Sequence, residues 1–340
     1  MKWNTPKVTE VCIGMEINDY FPAELYRLRS AGQFNCPAVS FMRAIVLGSA
    51  AGGGYPQWNC RCAVCALHWQ QDGRVKRRTQ SSLSVSVDDE NWVLFNCSPD
   101  IREQISASPF LQPRHAPRHS PISSIVLTNA DIDHIGGLLS LRETQKYQVW
   151  ASSAVMAQID ANPIFAVLNR DFVSFNLLEP DVKFEPVAGL TVEAFDVPGK
   201  VPLYKEGGGK ISVGRNGNTL GLHIRHRGYT LSYVPGCADV DKQLLADLSA
   251  TDILLFDGTL WTDDEMIASG TGSKTGRRMG HVPVSGRDGS MALLASLPAQ
   301  NRVFVHINNT NPLLIDGSAE RMEAELQGWL VADDGMSVTQ

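Results

Sequence analysis

From Met42 onward, apolar residues come in short β-favouring runs broken by Gly, Pro and Asp clusters, and between some runs the spacing switches to the i, i+3, i+4 pattern of helices. The runs predict strands at 43–47, which enters the glycine-rich 48–54, and at 83–87 and 92–96, which flank the polar turn 88–91 as a hairpin. Further strands are expected at 124–127, 148–151, 191–195, 220–226, 229–234, 252–256 and 302–306. Helical spacing falls at 100–106, 135–143, 240–248, 289–297 and 319–330. Strands dominate early and helices punctuate each half, which predicts an α/β chain with two sheets between helical layers. No short-period repeat interrupts this pattern. Residues 1–41 read otherwise: their apolar residues are scattered among Pro6, Pro22 and Pro37, and the stretch 29–33 has linker composition.

Composition narrows the class without deciding it. A chain of 340 residues, 43% of them hydrophobic, can bury a full core. A net charge of -6 opposes binding to nucleic acid through phosphate contacts, and the one basic cluster, 74–78, reads as a solvated face. No apolar run is long enough to span a membrane and no signal-peptide core is present, so a cytoplasmic protein without membrane contact is expected. The cysteines number seven, and three of them crowd into Cys60-Arg-Cys62-Ala-Val-Cys65, which suits metal ligation in a reducing compartment better than disulfides.

Two clusters carry candidate chemistry. In Thr128-Asn-Ala-Asp131-Ile-Asp133-His134-Ile-Gly-Gly, a buried strand delivers carboxylates and an imidazole into a polar loop, where an extended chain would aim Asp131 and Asp133 the same way. The competing reading is an Asp N-cap beside a surface histidine. The second cluster, Cys60, Cys62 and Cys65, has the spacing at which one tight loop brings three sulfurs around a zinc ion; its local candidate for a fourth ligand is His68. Glu206-Gly-Gly-Gly-Lys210 lacks the spacing of a phosphate loop and reads as a hairpin tip, and 48–54 lacks the dinucleotide fingerprint.

Taken in order, the glycine-rich loop, Ser98-Pro-Asp100, Asp131-Ile-Asp133-His134 and a late strand ending at His306 resemble the metallo-β-lactamase superfamily, whose fold is an αββα sandwich with metals at the sheet edges. Its usual His-x-His-x-Asp-His loop is altered, because Asn129 and Asp131 occupy the first two histidine positions. Asp196-Val-Pro-Gly-Lys200 likewise stands where histidines flank Pro-Gly. These departures leave Asp133, His134 and His306 as ligands for one metal, with Asp131, Asp257 and His281 as further candidates and Asp100 as an anchor of the ligand loop. Two histidines and a carboxylate match the facial arrangement of non-haem Fe(II) oxygenases. With Pro56-Gln-Trp-Asn-Cys60 and His306-Ile-Asn-Asn-Thr-Asn-Pro312, residues 42–340 resemble the PqqB family of pyrroloquinoline quinone (PQQ) biosynthesis, and the N-terminal segment is similar to the PqqA precursor peptides. The resemblance implies three parts: a precursor-like peptide at 1–25 carrying Glu16 and Tyr20, a linker at 26–41, and the enzyme domain at 42–340. It implies structural Zn2+ on Cys60, Cys62 and Cys65, with Asn309, His68 or water as the fourth ligand, and Fe2+ on Asp133, His134 and His306. The reaction implied is dioxygen-dependent hydroxylation of the tyrosine-derived ring of a Glu-Tyr intermediate, alongside other PQQ-pathway proteins. A metal-dependent hydrolase, a carrier of PQQ or its precursor, and a homodimer stay open at this point.

Overall fold

Alternation along the first strand sets the layering. In β1 (Arg43–Gly48), Ala44 and Val46 face one apolar core, while Ile45 and Leu47 face another, so both faces are buried and the run reads as continuously apolar. The computed structural model describes residues 42–205 and 213–339. β1 is followed by β2 (Ser82–Ser86), β3 (Trp92–Phe95), β4 (Ile122–Val126), β5 (Tyr147–Ala151) and β6 (Val173–Leu177), and these pair in sequence order as a six-stranded sheet. The β1-β2 and β2-β3 pairs are antiparallel and the remaining pairs are parallel.

The second sheet contains β7 (Lys183–Val187), β8 (Leu190–Asp196), β9 (Leu220–His226), β10 (Tyr229–Val234), β11 (Ile253–Asp257), β12 (Asn301–Val305) and β13 (Trp329–Val331), in the reverse spatial order β13 to β7. From β10 to β13 the pairing is parallel. Side chains from the two sheets meet in a central core, for example Val85, Phe95 and Val126 with Leu222, Leu231 and Val305. A second core joins the outer face of the first sheet to the helices Ile101–Ala107 and Ser153–Ala161; a third joins the outer face of the second sheet to Lys242–Asp247, Ser290–Leu293 and Ala319–Leu326. Three cores separate four layers, the αββα sandwich expected from the sequence.

The parallel strands send their C-terminal ends to one edge, and the loops there carry the polar residues of interest. Two seams hold that edge. After β12, Ile307 N donates to Ser49 O (2.9 Å) and Ala51 N to Ile307 O (2.8 Å), tying this loop to the glycine-rich one. The end of the chain returns along β1: Val46 N donates to Met336 O, and Asp334 accepts from Ser49 and Thr79 through both backbone and hydroxyl groups. Glu16, Tyr20, the expected linker and the hairpin tip 206–210 lie outside the described residues.

Candidate metal centre

The loop that leaves β4 is fixed before its ligands appear. Asn96, at φ +64°, accepts from Thr128 N (2.9 Å) and donates to Thr128 Oγ1 (2.9 Å). Asn129 Oδ1 then accepts from Asp131 N (2.9 Å) and turns the chain into the short helix Ile132–Ile135. Because the helix starts at Ile132, Asp131 and Asp133 do not alternate in register as an extended loop would make them: Asp133 and His134 turn inward, buried, while Asp131 stays partly exposed at the cavity wall. The following Gly-Gly is required by close approach. A Cβ at Gly137 would lie 2.1 Å from Ser98 O, and here Cys97 N donates to His134 O (2.7 Å) and Gly137 N to Cys97 O (2.9 Å).

His306, from the end of β12, completes the cluster. One ligand atom each from Asp133, His134 and His306 lie within 4.8 Å of one another, and His306 Nε2 is 3.0 Å from Asp133 Oδ2. Burial alone would raise the Asp133 carboxyl, but the two imidazoles hold it well below the usual carboxylate range. Burial pulls His134 down despite the Asp133 charge; for His306 burial also lowers, but the bond to Asp133 together with the charges of Asp133, Asp257 and Asp131 raises it overall. His134 Nε2 is buried without a hydrogen-bond partner among the described residues and lies 3.8 Å from Asp133 Oδ2. A buried nitrogen lone pair costs free energy unless something takes it. A cation between these three groups would take it, so the donor set fits a metal ion.

Behind the cluster, Thr259 orients the ligands. Its hydroxyl hydrogen goes to Asp257 Oδ1 (2.6 Å), and its oxygen then accepts from His306 Nδ1 (2.8 Å), which leaves Nε2 as the ligand-side nitrogen. Asp257 is fully buried; Oδ2 accepts from Cys237 N (2.9 Å) and from His281 Nδ1 (2.7 Å). Asp257, His281 and His306 form a second group within 4.8 Å, sharing His306 with the first. His281 stacks on His306 with centroids 5.2 Å apart.

The three cysteines form a separate cluster, again within 4.8 Å, compatible with the spacing of about 3.8 Å between sulfurs around a zinc at about 2.3 Å. Cys62 caps the helix Ala63–Trp69. A hydrogen bond from the Cys65 thiol draws Cys62 down to about 5, and the same bond with burial pushes Cys65 up. Asn309 Nδ2 lies 3.2 Å from Cys60 Sγ and 3.4 Å from Cys65 Sγ. His68 instead sits edge-on between Tyr55 and Trp69 and joins no such cluster among the described residues. Asp100 anchors a different loop from the one expected: it accepts from Gln80 N and Nε2 (2.9 and 3.0 Å), and Gln80 accepts from Gly53 N. Asn96 does what was expected of Asp100. Neither Asn96 nor Thr259 stands out in the sequence, and the only cue for Thr259 is its place two residues after Asp257.

The Asp133 cluster opens into a cavity of about 420 Å³ lined also by Asp131, His281, Asn308, Met266, Met279, Lys200 and Lys274. Comparison with known proteins gives this arrangement a family context. Residues 91–307 match the beta-lactamase superfamily domain, and residues 2–20 match the PqqA family. The chain is similar to coenzyme PQQ synthesis protein B of Methylobacterium nodulans, 52% identical over 87% of this chain and 99% of that one, and to the same protein of Rhizobium meliloti, 49% identical over 88% and 98%. Among solved structures it resembles Zn(2+)-bound PqqB from Methylobacterium extorquens, 50% identical with a TM-score of 0.85, covering 87% of this chain and 99% of that one. A diphosphatase of the PhnP family shares the fold at 20% identity and a TM-score of 0.61, covering 88% of this chain and 97% of that one.

Proposed function

The chain belongs to the coenzyme PQQ synthesis protein B family of the beta-lactamase superfamily, and from that premise we propose that it hydroxylates the tyrosine-derived ring of a Glu-Tyr intermediate, using Fe(II) and dioxygen. The observation that carries this reading is the ligand set: one carboxylate and two imidazoles, with a buried His134 Nε2 lacking a hydrogen-bond partner among the described residues. Asp133, His134 and His306 would hold the ion. Bound Fe(II) with open positions supplies activation of dioxygen. Thr259 and Asp257 keep the His306 ring turned toward Asp133, and Met266 and Met279 offer apolar surface to an aromatic ring. We assign the zinc named for the Methylobacterium extorquens relative to Cys60, Cys62 and Cys65, with Asn309 as the fourth group. Residues 1–25 are read as a precursor-like peptide carrying Glu16 and Tyr20, residues 26–41 as its linker and 42–340 as the enzyme domain. The matched segment supports partnership with other proteins of the same pathway.

The test is anaerobic reconstitution with Fe(II), followed by dioxygen, ascorbate as two-electron reductant and a Glu-Tyr compound. One oxygen atom enters the ring and the other leaves as water, so a mass gain of one oxygen is expected. No gain with iron, together with phosphodiester turnover with zinc, overturns the reading. That second reading, a two-metal hydrolase, draws on the Asp257, His281 and His306 grouping beside the first.

A further inference from the structure

We infer that Lys200 and Lys274 form an anion subsite that recognises carboxylates of the substrate and so orients its ring toward Asp133, His134 and His306. This rests on the proposed Glu-Tyr substrate class. Acidic residues outnumber basic ones along the chain, 36 to 30, yet this cavity gathers two lysines from separate loops, one just after β8 and one before the helix Gly276–Met279. Both are half-buried rather than waving in solvent. Lys200 is seated: its Nζ donates to Val201 O (3.3 Å), and its stem lies along Gly280, where an added Cβ would meet Lys200 Cγ, Cε and Cδ at 3.2–3.4 Å. Gly280 stands at φ +93°, a conformation that favours glycine, and it immediately precedes His281 at the cavity wall. The backbone therefore makes room for the lysine stem beside the imidazoles.

The remaining lining completes the match. Met266 and Met279 are apolar and suit a ring, and Asn129, Asn308 and Ser273 supply neutral hydrogen-bonding groups. Asp133 is engaged by the two histidines, and Asp131 stands at the partly exposed wall. A cavity of this volume is in the range of small-molecule sites, about 300–1,000 Å³, which fits an aromatic amino-acid derivative and is too small for a folded partner. An aromatic polycarboxylate is complementary to this distribution: methionines and imidazoles at the ring, ammonium groups at the carboxylates.

Calorimetry on the full-length protein under nitrogen, with L-glutamyl-L-tyrosine as probe, tests the subsite without requiring turnover. Lys200→Met and Lys274→Met are each expected to weaken binding about tenfold, and Lys→Arg at either position to restore it. The diamide of the same dipeptide should bind the unaltered protein about tenfold more weakly and be indifferent to both methionine variants. An unchanged acid-to-amide preference in the variants overturns the inference, as does a loss of inorganic phosphate binding with dipeptide binding intact. If the preference shifts as expected while iron-loaded protein fails to hydroxylate, the subsite stands and the oxygenase reading falls.

Discussion

His306 and Asn309 sit on one short loop and face different clusters: His306 Nε2 is 3.0 Å from Asp133 Oδ2, whereas Asn309 Nδ2 is 3.2 Å from Cys60 Sγ. The residues between and beyond them are also engaged, Asn308 at the cavity, Thr310 against Glu265, and Asn311 on Gly258 O. The loop thus mechanically joins the thiol cluster to the imidazole cluster. Changing Cys60→Ser is expected to release one zinc per chain and to lower unfolding stability by about 3 kcal/mol or more. Because His306 shares the strap, iron affinity at Asp133 should fall as well. Separate zinc and iron analyses with denaturant unfolding check both, and zinc retained in full would count against the assignment.

Thr259→Val keeps the side-chain shape and deletes the hydroxyl that serves Asp257 and His306 together. The expected result is a 10- to 100-fold loss of iron affinity, the range for removing support behind a ligand. A stability loss of about 1–3 kcal/mol should accompany it, from buried groups left without a partner. Metal titration and chemical unfolding measure the two effects, and Thr259→Ser should recover both.

His223, in β9 and in neither metal cluster, gives a pH dependence of its own. Burial, helped by the Arg225 charge and opposed by Glu193, holds its imidazole down at about 4, while Ser232 Oγ lies 2.8 Å from Nδ1. In the unfolded chain it titrates near 6.5. Between these values the unfolded chain binds more protons, so stability rises with pH through this window. The contribution is complete above about 6.5 and is lost as pH falls toward 4, at most about 3 kcal/mol. In His223→Gln the slope of unfolding free energy against pH between 4 and 6.5 should flatten. A slope equal to that of the unaltered chain would show that the imidazole is not the titrating group.

Strands with both faces buried were the legible part of the fold. The runs 220–226 and 229–234 coincide with β9 and β10, since apolar residues recur at every second position, Leu220, Leu222 and Ile224 in one and Tyr229, Leu231 and Tyr233 in the other. β6 and β7 carry mixed burial, and β7 contains Pro186, so neither shows a period strong enough to read. The helix expected at 135–143 is instead a short helix over Ile132–Ile135 followed by a 3₁₀ segment over Gly136–Leu141. The Gly-Gly pair serves close packing against Cys97 there, not helix continuity. The helix expected at 319–330 ends at Leu326, because Gly328 at φ +80° turns the chain into β13. In the centre, His306 was legible because it directly follows β12, and Asp133 and His134 because their polar loop comes soon after the buried run of β4. Asn96 and Thr259 were not, because their roles depend on neighbours distant in sequence, 32 residues away for Thr128 and 47 for His306.

Asp334 bears on how this protein is handled at the bench. Its carboxylate clasps Ser49 and Thr79, and Met336 pairs with Val46, so the final stretch is a hem stitched to the first strand and to the loop flooring the cavity. Trimming that end first strips the pairing along β1, and once the cut passes Asp334 the loosening spreads through Ser49 and Thr79 to the reactive edge.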